Sequence, residues 1–168
     1  MTAPETRWLS TDEQRSWRAY VIGSTLLSDT LDRELRQAHG LSLGEYEILV
    51  RLSENPDRTL RMAQIADSMQ HSRSRVTHTV TRMEKTGLVE RCAATGDRRG
   101  VEARMTEKGW ALLVKAAPTH VAGVRAHFVD LADEETFASM GRLMNAVADH
   151  LLAVNPAVED IRENVETP

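Results

Sequence analysis

Several serine and histidine residues stand at spacings that could support catalysis or metal binding. Ser74 and His78 are four residues apart, so on a helix they would share a face as a nucleophile and its base do. His71 and His78, and likewise His120 and His127, are seven apart, which sets the two rings of each pair two helical turns apart. No third catalytic group accompanies Ser74, and no cluster has the ligand spacing of a zinc site. We therefore expect neither an enzyme nor a bound metal, and the sequence indicates no cofactor.

Cys92 is the single cysteine of the chain, which excludes an intramolecular disulfide framework. It falls within a segment that reads as a β-strand, where burial as a small apolar side chain is the usual outcome. Oxidation of this thiol is the other interpretation, and it would make the protein redox-responsive.

The residues that follow Ser72 indicate a different chemistry. They are rich in arginine, serine and threonine, with no acidic residue before Glu84. Arginine bonds guanine or phosphate, and serine and threonine bond either, so the stretch suits a DNA major groove. The chain carries a net charge of −4, yet residues 71–106 hold eight Lys/Arg against four Asp/Glu. The residues predicted to face DNA are Ser72, Arg73, Ser74, Arg75, Thr77, His78 and Arg82.

Periodicity places these residues on the second of two consecutive helices. A short helix is predicted from Met62 to Met69, and Ser72 is the expected N-cap of a second helix that begins at Arg73. The narrow apolar stripe that would anchor this second helix consists of Val76, Val80 and Met83.

A two-stranded hairpin is expected after the second helix. Gly87 would end the helix with a positive φ, and residues 88–93 and 101–105 alternate as two strands. The second strand should bury Val101, Ala103 and Met105 on one face, and residues 59–61 can add a third short strand. Arg98 and Arg99 would project from the charged tip between the strands.

This order of elements resembles the winged helix-turn-helix of the MarR family of bacterial transcriptional regulators. The tip sequence Asp97-Arg98-Arg99 and the later Thr106-Glu107-Lys108-Gly109 carry the resemblance, which spans roughly residues 10–152. It implies a homodimer on a pseudo-palindromic double-stranded DNA operator, with the second helix in the major groove. By motif position Arg99, together with Arg98, would read the minor groove, and Asp97 would orient the wing. Regulators of this family are most often repressors.

The expected fold class is mainly α with a small β-hairpin wing, in a single domain spanning residues 1–168. Residues 42–106 would form the winged helix-turn-helix lobe. Residues 10–40 and 107–153 would form long amphipathic helices, with capping boxes at Ser10 and Ser42, a stop at Gly40 and an N-cap at Thr106. The resemblance implies that these helices interlock with a second copy as dimerisation helices. The alternative is that their apolar stripes close a monomeric bundle.

Trp17 and Tyr20 on the first helix and Tyr46 on the next could line a crevice between the body and the lobe. Members of the MarR family commonly hold small aromatic or phenolic effectors there, although core packing explains each residue equally well. A second function from another class is a protein-interaction module whose basic face docks an acidic partner. The sequence has no apolar run long enough for a membrane span and no signal peptide, so we expect a cytoplasmic protein.

Overall fold

The computed structural model describes residues 5–94 and 100–154 of the chain. Within these ranges the chain forms six α-helices and three short β-strands, with a 3-10 turn before the last helix. In chain order the elements are α1 (Thr11–His39), α2 (Leu43–Ser53), β1 (Thr59–Arg61), α3 (Met62–Ser68), α4 (Arg73–Lys85), β2 (Val89–Ala93), β3 (Val101–Met105), α5 (Glu107–His127), the turn Val129–Leu131 and α6 (Glu134–Val154). The expected class, mainly α with a small β-hairpin wing, is confirmed.

Side-chain caps determine where the long helices begin, as the sequence predicted. At the start of α1 the Ser10 hydroxyl accepts a hydrogen bond from the Glu13 N–H, and the Glu13 carboxylate accepts one from the Ser10 N–H at 2.7 Å. Ser42 and Glu45 form the same reciprocal pair at the start of α2. These bonds satisfy N–H groups that have no partner within the helix.

Residues 42–106, which we call the lobe, supply most of the core, and Leu35 of α1 with Leu113 and Ala116 of α5 complete it. The apolar faces of α2, α3 and α4 converge with the inner face of the sheet. The stripe predicted for α4 is confirmed, and residues that are 0% or 1% exposed in this core include Leu49, Leu52, Ile65, Val76, Val80 and Met83.

The three strands form one antiparallel sheet in the order β1-β3-β2. Ala103 in the central strand faces Leu60 of β1 on one side and Arg91 of β2 on the other. The predicted pairing of residues 59–61 with the hairpin is therefore confirmed. The predicted burial of Val101 is wrong: Ala103 is fully buried, but Val101 is 46% exposed. Val101 pairs with Ala93 at the far end of the hairpin, beyond the reach of the core.

A helical body, which we define as α1, α5 and α6, stands beside the lobe. The C-terminal half of α1 packs on α5 through Leu31, and Leu35 is buried in the lobe core. At Gly123 of α5 a Cβ would lie 2.9 Å from the Leu31 side chain and 2.6 Å from the Glu34 carboxylate, so glycine permits the close approach.

The remainder of the body leaves its apolar faces open. Trp17 and Tyr20 of the predicted stripe lie in the N-terminal half of α1 and are exposed, and so is Leu26 nearby. Every residue of α6 lies within the described range, and none of them is buried. These parts of the two helices are therefore not covered within one chain.

Candidate nucleic-acid interface

Helix α4 presents one buried and one exposed face, and the division follows its sequence. Its N-cap is Ser72, whose hydroxyl accepts a hydrogen bond from the Arg75 N–H at 3.3 Å. The stripe of Val76, Val80 and Met83 holds the helix on the core. All seven polar residues predicted for this surface are exposed, namely Ser72, Arg73, Ser74, Arg75, Thr77, His78 and Arg82. We call these seven residues the polar face of α4.

The side chains of the polar face differ in whether they already form hydrogen bonds or ion pairs within the chain. Within the described residues, Arg73 and His78 have no hydrogen-bond or ion-pair partner, so their donors are available to a ligand. Ser72 and Ser74 lie with their hydroxyls 3.4 Å apart. Arg82 forms an ion pair with Glu45 of α2, with 3.5 Å between Nε and Oε1. The N-terminal half of α4 is therefore the part most open to a new partner.

The end of α4 is fixed by backbone hydrogen bonds around Gly87. Gly87 has a φ of +73°, and the next residue, Leu88, donates its N–H to the Met83 carbonyl at 2.9 Å. The start of α5 covers this turn, since the Thr106 hydroxyl donates to the Gly87 carbonyl at 2.7 Å and Lys108 Nζ donates to the Thr86 carbonyl at 2.6 Å. The helix is thus held at its C-terminal end by the body as well as by the lobe.

Arg91 in β2 joins the wing to α4 directly. Its Nη2 donates to the Thr77 carbonyl at 3.0 Å and to the Thr81 hydroxyl at 2.8 Å. Its Nη1 lies 3.3 Å from the Glu84 carboxylate. Sequence reasoning counted Arg91 only as one charge of the basic segment. The Arg82–Glu45 pair was not foreseen at all, because no local spacing connects residues on different elements.

Asp97, Arg98 and Arg99, the predicted wing-tip residues, lie outside the described residues. The strands that lead to them are in place, with Ala94 N–H donating to the Gly100 carbonyl at 3.0 Å. Cys92 in β2 is partly buried, and its Sγ lies 3.9 Å from the Glu102 carbonyl oxygen.

The three aromatic residues proposed for an effector pocket occupy two separate settings. Trp17 and Tyr20 contact each other on the exposed part of α1, with ring centroids 5.7 Å apart. Tyr46 is buried and stacks on His120 of α5 at 4.5 Å. Burial raises the pKa of Tyr46 and lowers the pKa of His120, so both rings favour their neutral forms.

A groove of about 720 Å³, open to solvent, lies between α1 and α5, and none of these three aromatic residues lines it. Its polar walls include Glu34, Gln37, Thr119 and His127. His127 Nε2 is 2.7 Å from the Glu34 carboxylate, and Thr119 is bonded to His39 at 2.8 Å.

The histidine pairs that first suggested metal binding are dispersed over the molecule. His120 stacks on Tyr46, whereas His127 pairs with Glu34. Across residues 5–94 and 100–154, no group of three or more His, Cys, Asp or Glu side chains is placed to hold a metal ion. In the same part of the chain, no helix has the length and apolarity needed to cross a membrane.

A short helix, a turn, a second helix with an exposed polar face and a three-stranded sheet together define a winged helix-turn-helix protein. The family model described as the MarR family matches residues 39–100. Sco3205 from Streptomyces coelicolor, a MarR family transcriptional regulator solved in complex with DNA, is 41% identical to this chain with a TM-score of 0.84. That match covers 89% of this chain and 93% of Sco3205.

Two further relatives support the same family assignment. AbsC, a MarR family transcriptional regulator from Streptomyces coelicolor, is 41% identical with a TM-score of 0.82, over 88% of this chain and 99% of AbsC. The HTH-type transcriptional regulator MhqR of Bacillus subtilis (strain 168) is 31% identical over 125 residues, which cover 73% of this chain and 84% of MhqR. The chain belongs to the MarR family of transcriptional regulators, and it is a regulator rather than an enzyme.

Proposed function

We propose that the protein is a homodimeric, sequence-specific DNA-binding repressor that a small-molecule effector releases from a pseudo-palindromic operator. The observation that carries this proposal is the polar face of α4. It is exposed and free of acidic residues, and the buried stripe on the opposite side of the helix fixes its direction. Sco3205, which shares 41% of its residues with this chain, was solved in complex with DNA.

In the proposed complex, α4 lies in the major groove. Arg73 and Arg75 reach base edges or phosphates from the N-terminal half of the helix, and Thr77 and His78 add hydrogen bonds to base edges. Arg82 is nearer the C-terminal end and shares its charge with Glu45, so it contributes a phosphate contact at most. Arg99, with Arg98, enters the adjacent minor groove, and Asp97 orients the wing.

The proposed dimer follows from the uncovered apolar residues of the body. Trp17 and Val21, which share a face of α1, and Leu143 and Leu151 of α6 are all exposed. A second copy related by a two-fold axis would cover them and would present two copies of α4 to one side of the duplex. Such a pair reads half-sites about 10 bp, or roughly 34 Å, apart.

The effector is proposed to act at the junction between the lobe and the body. Tyr46 of α2 and His120 of α5 meet there, and His120 Nδ1 is buried without a hydrogen-bond partner among the described residues. A small aromatic or phenolic molecule that binds more tightly when this junction is rearranged would change the spacing of the two α4 helices. A coupling free energy of about 1–3 kcal/mol suffices for such release.

A gel-shift titration on the duplex upstream of the protein's own gene tests the DNA-binding proposal. We expect Arg73→Ala and Arg99→Ala each to weaken binding by about 1–3 kcal/mol, because each removes a base or groove contact. Arg18→Ala is the matched control, since Arg18 is an exposed arginine on α1 outside the polar face. Equal affinity for the upstream duplex and a scrambled one would reject the proposal and favour a protein-docking module.

A further inference from the structure

We propose that Arg91 is a positioning residue that sets the direction of the wing from the recognition helix itself. The inference rests on the proposed DNA-binding function, and it assigns to Arg91 a role in holding the wing rather than in touching DNA.

Arg91 makes four contacts with one face of α4. Besides the two Nη2 bonds and the Nη1–Glu84 pair described above, its backbone N–H lies 3.4 Å from the other oxygen of the Glu84 carboxylate. Thr77, Thr81 and Glu84 are spaced by four and three residues, so they form one continuous row on the helix. The guanidinium therefore spans two turns of α4.

These contacts use the planar geometry that is particular to arginine. One nitrogen of the guanidinium binds the row at Thr77 and Thr81 while the other binds Glu84. A lysine ammonium is a single point charge and cannot reach both groups at once. The Thr81 hydroxyl is also committed, since it donates to the Thr77 carbonyl at 2.7 Å.

Arg91 is much less accessible than two neighbouring arginines, one on α4 and one on β3. Its side chain is 27% exposed, compared with 61% for Arg82 and 53% for Arg104 of β3. A residue so placed is poorly suited to bind DNA directly, and its charge is already paired with Glu84.

The position of Arg91 within the sheet explains how it acts on the whole wing. It lies at the centre of β2 and is paired with Ala103 of β3. Its contacts with α4 therefore hold both strands of the hairpin against that helix. Apart from these contacts, β2 is joined to α4 by the turn at Gly87 and Leu88 and by the packing of Val89 in the same core as Val80 and Met83. With Arg91 in place, a movement of α4 in the major groove and a movement of the wing are coupled.

Charge-preserving and charge-removing variants distinguish positioning from direct contact. We expect Arg91→Met and Arg91→Lys to weaken operator binding to a similar degree, about tenfold or more, because both lose the forked contact. Arg104→Met is the matched control, as it removes the same charge from the neighbouring strand, and we expect a change of less than about threefold. If Arg91→Lys keeps wild-type affinity, the charge alone matters and the proposal is wrong.

Glu84→Gln gives a second test in which the two roles predict opposite signs. Removing an acidic group close to DNA should strengthen binding by electrostatics alone. If Glu84 holds Arg91 in position, Glu84→Gln should instead weaken binding, and combining it with Arg91→Met should add little, since the two act as one unit. Stronger binding by Glu84→Gln, or fully additive losses, would overturn the proposal.

Amide hydrogen exchange separates this inference from the proposed function, because it needs no DNA. Arg91→Met should speed exchange in β2 and β3 relative to Arg104→Met, while the core amides of α2 keep their protection. Unchanged exchange in the two strands would reject the positioning role whether or not the protein binds an operator. Loss of sequence preference in the wild-type protein would reject the proposed function alone.

Discussion

The lobe and the helical body differ in whether one chain can cover its own apolar surface. In the lobe, Leu49, Ile65, Val80 and Met83 are all 0% exposed. In the body, Trp17 is 57% exposed and α6 has no buried residue, even though both helices are amphipathic. The apolar side chains of the lobe are thus packed, with Leu35 of α1 and Leu113 of α5 completing its core, whereas the body leaves apolar side chains of α1 and α6 exposed.

The C-terminal third of α1 connects the two regions. Leu35 inserts into the lobe core, and the Asp32 carboxylate accepts a hydrogen bond from the Leu43 N–H at 2.8 Å, at the start of α2. The bond from Arg36 lowers the pKa of Asp32, so this carboxylate stays charged. A displacement of α1 by the proposed partner chain or effector would reach α2, and from Glu45 it would reach Arg82 on α4.

The largest expected effect comes from placing charge on the open face of α6. Leu143→Glu combined with Leu151→Glu should yield a folded monomer, because the lobe core is untouched while the proposed dimer contact becomes charged. Operator affinity should fall by about 100-fold or more once the two lobes act separately. Light scattering coupled to size exclusion, followed by gel shift, would measure both changes.

The control for this variant is Ala138→Glu, an exposed residue of the same helix about 140° around from Leu143. It adds a like charge to the other side of α6 and should leave the mass and the affinity unchanged. A wild-type protein that is already monomeric at micromolar concentration would contradict the proposal that a second copy covers the exposed face of α6.

A truncation inside the lobe should have the next largest effect. Leu49→Ala should lower the free energy of unfolding by about 2–5 kcal/mol, since it leaves a cavity in a fully buried site. Leu26→Ala removes the same atoms from a residue that is 60% exposed, and in the monomeric α6 variant it should cost almost nothing. Urea denaturation of both variants in that background measures the two changes in the free energy of unfolding. Equal losses for Leu49→Ala and Leu26→Ala would contradict the prediction.

The features that sequence predicted well are those set by residues a few positions apart. Ser10, Ser42, Ser72 and Thr106 were recognised as N-caps because a cap bonds the N–H of the residue three places on. The polar face of α4 followed from helical periodicity in the same way, and all of its members are exposed as expected.

Features that depend on distant residues could not be predicted in this manner. Arg91 contacts Thr77 across 14 positions, and Arg82 pairs with Glu45 across the boundary between two helices. The exposure of Val101 depends on how far the core extends under the hairpin. Trp17 is uncovered within one chain, and covering it would need the second copy that we propose, which the periodicity of one chain does not contain.

The smallest expected effect comes from removing a helix cap. Ser72 caps a helix of the lobe and Ser10 caps a helix of the body, so the two serines can be compared. In the monomeric α6 variant, Ser72→Ala should lower the free energy of unfolding by about 1 kcal/mol, because α4 belongs to the cooperative core. Ser10→Ala should leave it nearly unchanged, since the first turns of α1 are exposed and can fray alone. Denaturation midpoints with unchanged slopes would give both values.

Repeating the Ser10→Ala measurement in the dimer turns this small difference into a test of where the partner chain lies. If a second copy covers Trp17 and its neighbours, the start of α1 joins the cooperative unit and its cap should then contribute about as much as that of α4. A Ser10→Ala cost that stays near zero in the dimer would mean that the first turns of α1 lie outside the interface. The contacts between subunits would then be confined to α6 and the C-terminal part of the body.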